Sequence, residues 1–232
     1  MMKKAELEII KEGKTGHGIL IENDGYMYIK NAQKITESME AGEWNVPYPF
    51  IVDAVFQKFG VKNANGRIYP ETVLKKQVEL YQKKIQDSNA IGELNHPAES
   101  TIDLGRIAIN IVELHWEGRT LVGKLAINTS YGFRKYGIVG TRGDEMANLL
   151  INGIKIGVSS RGVGSVEQKL GQYIVGDDFE LICWDVVSDP STPGAWVGQA
   201  EELQQYVETN TTKNEKPSIN EKISKIKNIL NS

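Results

Sequence analysis

The stretch LGRIAINIVELHWEGRTLVGKLAIN, residues 104–128, carries aliphatic and β-branched residues on both sides of a break at Glu117-Gly118. Apolar runs on either side of Glu117-Gly118 predict two long antiparallel strands joined as a hairpin. Working outward, YPFIVDAVFQ before it, and IKIGVSSRGVGSV and QYIVGDDFELICWDVVSD after it, have the same strand-like character. A mostly antiparallel β core of roughly 150 residues follows from that pattern. Helical patterns are few. In PETVLKKQVELYQKKIQDS, which Pro70 opens, Val73, Leu74, Val78, Tyr81 and Ile85 share one face and the lysines take the other. GDEMANLLINGI predicts a shorter helix with Asp144 as its N-cap. The class is α+β.

The two ends differ from this core. Residues 1–47 are polar and punctuated by glycine, and are read as an arm with one hairpin, ILIENDGYMYI, turning at Asn23-Asp24-Gly25. After residue 198, QAEELQQYVETNTTKNEKP has no apolar stripe and reads as a linker. It leads to SINEKISKIKNIL, a helix with a Ser218/Glu221 capping box and an Ile219, Ile223, Ile226, Leu230 stripe. The expected organisation is an arm over 1–47, one domain over 48–198, and a linker and helix over 199–232.

Composition narrows the function classes. With 40% hydrophobic and 25% charged residues in 232, the chain suits a globular domain. A net charge of −3 gives no basic field for nucleic acid. No apolar run approaches the roughly 20 residues of a membrane span, and the opening MMKKAELEIIKEGK lacks the apolar region of a secretory signal. One cysteine, Cys183, gives neither an internal disulfide nor a cysteine-rich zinc site, and three scattered histidines have no metal-ligand spacing. The expectation is a protein of a reducing cytoplasm without metal or cofactor.

Three stretches carry candidate chemistry. GELNHP, residues 92–97, sets His96 before a proline that favours extended backbone, with Gly92 free to approach another chain segment closely. His17 and His115, in a glycine-rich segment and beside a hairpin turn, read as surface residues. IKIGVSSRGVG, residues 154–164, presents two adjacent serines among glycines. Serine is a weak nucleophile without a neighbouring base, and the same pattern suits a bulged strand end. WDVVSDPSTPGAW, residues 184–196, places Asp185 inside an apolar strand, where it either faces solvent or orients an imidazole; Asp189 opens an Asp-Pro turn.

The succession NGRIYP, GELNHP, GVSSRGVG and DPSTPGAWV, spread over residues 48–198, resembles the prohead core protein proteases of tailed bacteriophages. These are serine peptidases related in fold to the herpesvirus protease assemblin. The resemblance implies an assemblin-like β-barrel or strongly curved sheet surrounded by helices, with His96 as base and Ser159, the first serine of GVSSRG, as nucleophile. Ser160 then points to the opposite face of its strand, and Arg161 and Gly162 serve the oxyanion hole. In assemblin relatives the third triad member is a second histidine after the nucleophile. This chain has no histidine beyond His115, so a carboxylate is expected there: Asp185 first, Asp103 as the alternative, Glu93 behind both. Implied partners are the scaffold, core and major capsid precursors within the prohead in the host cytoplasm, cut after Glu in Leu/Ile-x-Glu sequences. The chain itself is a further substrate, with candidate sites at Ile10-Lys11-Glu12, Ile35-Thr36-Glu37, Ile219-Asn220-Glu221 and Ile111-Val112-Glu113. A homo-oligomer is left open, as is an inactive structural protein of the prohead core.

Overall fold

A computed structural model describes residues 15–28, 44, 46–97 and 99–188. The hairpin at 104–128 forms as β5 (Ile107–Glu117) and β6 (Thr120–Ile127), with Glu117 opposite Thr120 around a two-residue turn. Gly118, at φ +57°, supplies the left-handed residue that such a turn requires. β6 alternates half-buried and buried side chains along its whole length, so one face meets the core.

Around this hairpin one nine-stranded sheet assembles from β1 (Thr15–Tyr28), β2 (Phe50–Lys58), β3 (Arg67–Ile68), β4 (Ile91–Glu93), β5, β6, β7 (Gly157–Lys169), β8 (Gln172–Val175) and β9 (Glu180–Val187). Its order is β3-β8-β7-β1-β2-β6-β5-β4, and every pairing in that path is antiparallel except β3 with β8. β7 pairs with β1 along one edge, and on its other edge with β9 over 157–163 and β8 over 166–169. The sheet curves until β4 reaches β9. Backbone pairing there is a single parallel bridge, Leu94 to Val186, with the Asn95 N–H donating to the Val186 carbonyl at 2.8 Å. The continuous ladder of a closed barrel is therefore interrupted at this junction.

Three helices accompany the sheet among the described residues: α1 (Glu71–Gln86), α2 (Tyr131–Tyr136) and α3 (Arg142–Ile151). α1 buries Val73, Leu74, Gln77, Val78 and Tyr81, the face read from the sequence, and Ile85 packs on the core at its margin. Trp184 of β9 is buried between aromatic neighbours, with ring centroids 5.4 Å from Phe56 and 4.9 Å from Tyr81. Those edge-to-face contacts tie β9 to β2 and α1.

Four expectations are corrected. Residues 15–28, assigned to an arm with a hairpin, are one strand between β7 and β2. The Asn23-Asp24-Gly25 turn is a register shift between Glu22 and Gly25 within that strand. QYIVGDDFELICWDVVSD is broken into β8 and β9, because Asp178 accepts hydrogen bonds from the Ser165 N–H (3.0 Å) and hydroxyl (2.7 Å) and turns the chain. Asp144 is not the N-cap of α3. Thr141 is, and Asp144 is the third helical residue of a reciprocal capping box. Asp144 also accepts from the Ser130 N–H (2.7 Å) and hydroxyl (2.8 Å), joining the start of α3 to that of α2. The linker and helix expected over 199–232, the Asp189 turn, and the Glu12, Glu37 and Glu221 sites lie outside the described residues. So does the side chain of His17.

Candidate active site

The register of β7 against β9 builds the site. Ser159 lies directly opposite Asp185, and Arg161 opposite Cys183. Side chains of opposed residues share a face of the sheet, and alternation along each strand keeps residues two apart on that face. Ser159, Arg161, Cys183 and Asp185 therefore form one patch, and Ser160 and Trp184 point the other way. All of these residues are buried.

His96 reaches this patch from the loop after β4. Gly92 lets β4 come close: a Cβ there would stand 2.1 Å from the Trp184 carbonyl oxygen. The chain then turns at Asn95, whose φ of +69° is left-handed and is a conformation asparagine tolerates better than most residues. The imidazole lies between the two strands' side chains. Its Nε2 contacts Ser159 Oγ, and its Nδ1 is 2.9 Å from Asp185 Oδ2. The side chain of His96 is 12% exposed, whereas Ser159 and Asp185 have no exposed surface.

Asp185 has a dense set of partners. Its Oδ1 accepts the Glu93 N–H at 2.9 Å and is 3.3 Å from both Arg161 Nη2 and Cys183 Sγ, while Arg161 Nε lies 2.9 Å from its Oδ2. His96 Nδ1 and Arg161 Nε both lie against Oδ2, off the alignment of an ideal hydrogen bond. Burial alone raises the carboxyl's pKa, but His96, the Glu93 N–H and Arg161 outweigh it and hold Asp185 below its ordinary value. Burial, with the Asp185 charge beside it, pushes the Cys183 thiol well up, so that sulfur stays protonated and unreactive.

The remaining expected residues fall elsewhere. The side chain of Asp103 accepts the Gly105 N–H at 2.8 Å and caps the 3-10 turn Leu104–Arg106; the sequence could not show that its short reach is spent locally. The Arg161 guanidinium does not face the Ser159–His96 pair as an oxyanion donor would. It is wholly buried behind Asp185 and Glu93. At Arg161 and Gly162 β7 is paired on one edge with Ile21 and Leu20 of β1 and on the other, across a register shift, with Cys183 and Leu181 of β9. Glu93, ranked last as a triad member, accepts the Asp103 N–H at 2.7 Å and pairs with Arg161 at 3.1 Å. His115 stays at the surface, 3.2 Å from Glu113 and 3.5 Å from Glu117.

The NGRIYP stretch acts on the opposite face of β7. It surrounds buried Glu22, the β1 partner of Ser160, with Asn65 Nδ2 (2.8 Å), Arg67 Nη1 (2.8 Å) and the Tyr69 hydroxyl (2.9 Å). A cavity of about 360 Å³ between α1 and the β8–β9 turn is lined by Gln77, Tyr81, Lys84 and Asp178 among others. None of Ser159, His96 or Asp185 lines it.

The chain has recognisable relatives among known proteins. The chain is 33% identical over 165 residues to the prohead core protein protease of Enterobacteria phage T4, covering 69% of this chain and 74% of that protein. Its fold matches the solved structure of the bacteriophage T4 capsid assembly protease, gp21, with a TM-score of 0.58 and 26% identity, covering 74% of this chain and 98% of that one. The family described as prohead core protein serine protease matches residues 19–206, which include every strand of the sheet from within β1 onward and all three residues of the Ser159–His96–Asp185 set, and the chain belongs to that family.

Proposed function

We propose that this protein is a serine endopeptidase of prohead maturation, with Ser159 as nucleophile, His96 as general base and acid, and Asp185 as the orienting carboxylate. One observation carries the reading: the two ring nitrogens of a single histidine meet a serine hydroxyl on one side and a buried carboxylate on the other. Beside the ionised Asp185, Nδ1 carries the proton, which leaves the Nε2 lone pair aimed at the Ser159 hydroxyl. Attack of Oγ on a scissile carbonyl passes the hydroxyl proton to Nε2. The same proton then goes to the leaving amine, and water repeats the sequence on the acyl-enzyme.

The substrates are the scaffold and capsid precursors of the prohead, cleaved after Glu in Leu/Ile-x-Glu sequences, with sites of the same form in this chain cut in turn. Fit of that pattern is not enough for cleavage. Ile111-Val112-Glu113 lies inside β5, with Ile111 fully buried and paired to Leu125 of β6, so that site is protected while the sheet is folded. Because Ser159 has no exposed surface, a peptide reaches Oγ only after the covering groups move. The test is a fluorophosphonate probe, which labels only an activated serine, together with cleavage of a Leu/Ile-x-Glu peptide. Wild-type protein should show both and Ser159→Ala neither. Full cleavage by Ser159→Ala would remove the assignment.

A further inference from the structure

Next to the Ser159–His96–Asp185 set lies a buried ionic cluster that the proteolytic steps leave unused. Its centre is Arg161, two residues beyond Ser159 on β7 and 0% exposed. Nε lies 2.9 Å from Asp185 Oδ2, and Nη2 lies 3.3 Å from Asp185 Oδ1 and 3.1 Å from Glu93 Oε1. Nη1 donates to the carbonyls of Glu99 at 2.6 Å and Thr101 at 3.2 Å. Glu93 is itself wholly buried, with Arg106 Nε 3.5 Å from its other oxygen. The contacts on Glu93 and Glu99 flank His96 symmetrically, three residues before it (96 − 93) and three after it (99 − 96).

We propose that Arg161 is a positioning residue: one guanidinium fixes both the carboxylate that faces His96 and the loop that carries His96. Only a guanidinium suits this place. Its planar fork serves several acceptors in fixed directions, whereas a lysine ammonium is a point charge that would leave the loop carbonyls or one carboxylate unserved. The position also explains why a cation lies so near the catalytic patch yet so far from solvent. It acts on the acid and on the loop, and the substrate never touches it.

The inference rests on the triad reading, and the test separates the two. Full-length wild type, Arg161→Met and the double variant Arg161→Met/Glu93→Gln are compared in thermal unfolding, peptide cleavage and the proton NMR signal of His96 Nδ1–H in ¹⁵N-labelled protein. Arg161→Met should lower kcat on the order of 10²-fold, the scale of a small misplacement of catalytic groups, with KM changed less than about threefold. It should also lose or broaden the Nδ1–H signal. The double variant removes the Glu93 charge that loses its Arg161 partner, so part of the lost thermal stability should return while kcat and the Nδ1–H signal do not. Should Arg161→Met fail to fold, the double variant alone carries the comparison. Recovery of kcat and of the NMR signal together with stability would reduce Arg161 to a structural residue and overturn the proposal, as would a loss expressed through KM. A wild type that shows the protected Nδ1–H signal but never labels with a fluorophosphonate would defeat the protease reading and leave the positioning role standing.

Discussion

Replacing Asp185 by asparagine tests the site at its most buried point. The carboxylate has no exposed surface and meets five groups: His96 Nδ1, the Glu93 N–H, Arg161 Nε and Nη2, and Cys183 Sγ. The amide has nearly the same shape but only one oxygen. If that oxygen keeps the Glu93 N–H and Arg161 Nη2, the NH₂ group meets Arg161 Nε donor against donor and faces His96, forcing the proton onto Nε2, so the imidazole no longer accepts from Ser159. If the amide is flipped, its NH₂ group faces the Glu93 N–H and the guanidinium, donor against donor. Loss of the working tautomer costs on the order of 10⁴ in kcat in serine proteases of this logic, or about 5.4 kcal/mol of barrier. Breaking a buried ion pair destabilises by about 3–5 kcal/mol; Arg161 keeps Glu93 as a second carboxylate, so about 3 kcal/mol or less is expected. Fluorophosphonate labelling rate, peptide kcat and denaturant unfolding together measure both effects. Asp103→Asn is the control, since among the described residues that side chain bonds the exposed Gly105 N–H alone, and it should leave kcat within about threefold. A fall of less than tenfold in Asp185→Asn, or a larger fall in Asp103→Asn, would refute the orienting role.

Two further outcomes follow from burial and charge. Ser160 Oγ is buried without a hydrogen-bond partner among the described residues, so Ser160→Ala should change unfolding stability by less than about 1 kcal/mol, or raise it, and should keep activity; a large loss in either would show that its hydroxyl is used. The depressed Asp185 carboxyl contributes stability that is fully present above the unfolded value of about 3.9 and is lost as pH falls from there through the lower folded value. Asp185→Asn should therefore lose less stability than wild type between about pH 5 and pH 2, as read from unfolding midpoints, and parallel acid profiles would contradict the sign.

What the sequence could show divides along physical lines. Strands and the long helix were legible because burial on one face leaves a periodic trace, as in β6 and in the Val73, Leu74, Val78, Tyr81 face of α1. Features set by a distant partner were not. Asn23-Asp24-Gly25 has turn chemistry, yet β7 on one side keeps the chain extended and absorbs those residues as a register shift. α2 has six residues, too few for periodicity to register, and depends on a Ser130 cap and a Gly137 terminator. Candidate residue types could be picked out along the chain, but the opposition of Ser159 and Asp185 is a fact of register that no local signal fixes. Arg161 was misplaced for a related reason. Beside a nucleophile, an arginine suggests an oxyanion donor; alternation puts it on the Ser159 face, but which residues face it there is again set by register.

The site divides into a stiff half and a lightly fastened one. Ser159 and Asp185 sit on adjacent strands paired continuously from Gly157 to Arg161, so their separation is set by the sheet. His96 depends on β4 and the loop after it, which meet β9 through one bridge, the Asn95 N–H on the Val186 carbonyl, the Glu93 N–H on Asp185 and the close approach at Gly92, while Arg161 of β7 holds Glu93 and the loop carbonyls. Gly92→Ala acts on the close approach and on the packing of β4 against Ile109 of β5. Its Cβ would meet the Trp184 carbonyl oxygen at 2.1 Å and Ile109 Cγ1 at 2.9 Å, and a backbone oxygen cannot swing aside as a side chain can. β4 must move outward, carrying the residue four positions on (96 − 92) away from Ser159. Overpacking of this kind costs about 1–3 kcal/mol, a minor part of a typical folding free energy of about 5–15 kcal/mol, so the sheet should stay folded. A misplacement of about 1 Å can lower turnover on the order of 10²-fold. Gly92→Ala should therefore keep a cooperative unfolding transition and lose most fluorophosphonate labelling at a temperature where the protein is fully folded. If labelling and stability instead fall in proportion, the His96 loop is not a separately fastened part of the site, and the division between strands and loop is wrong.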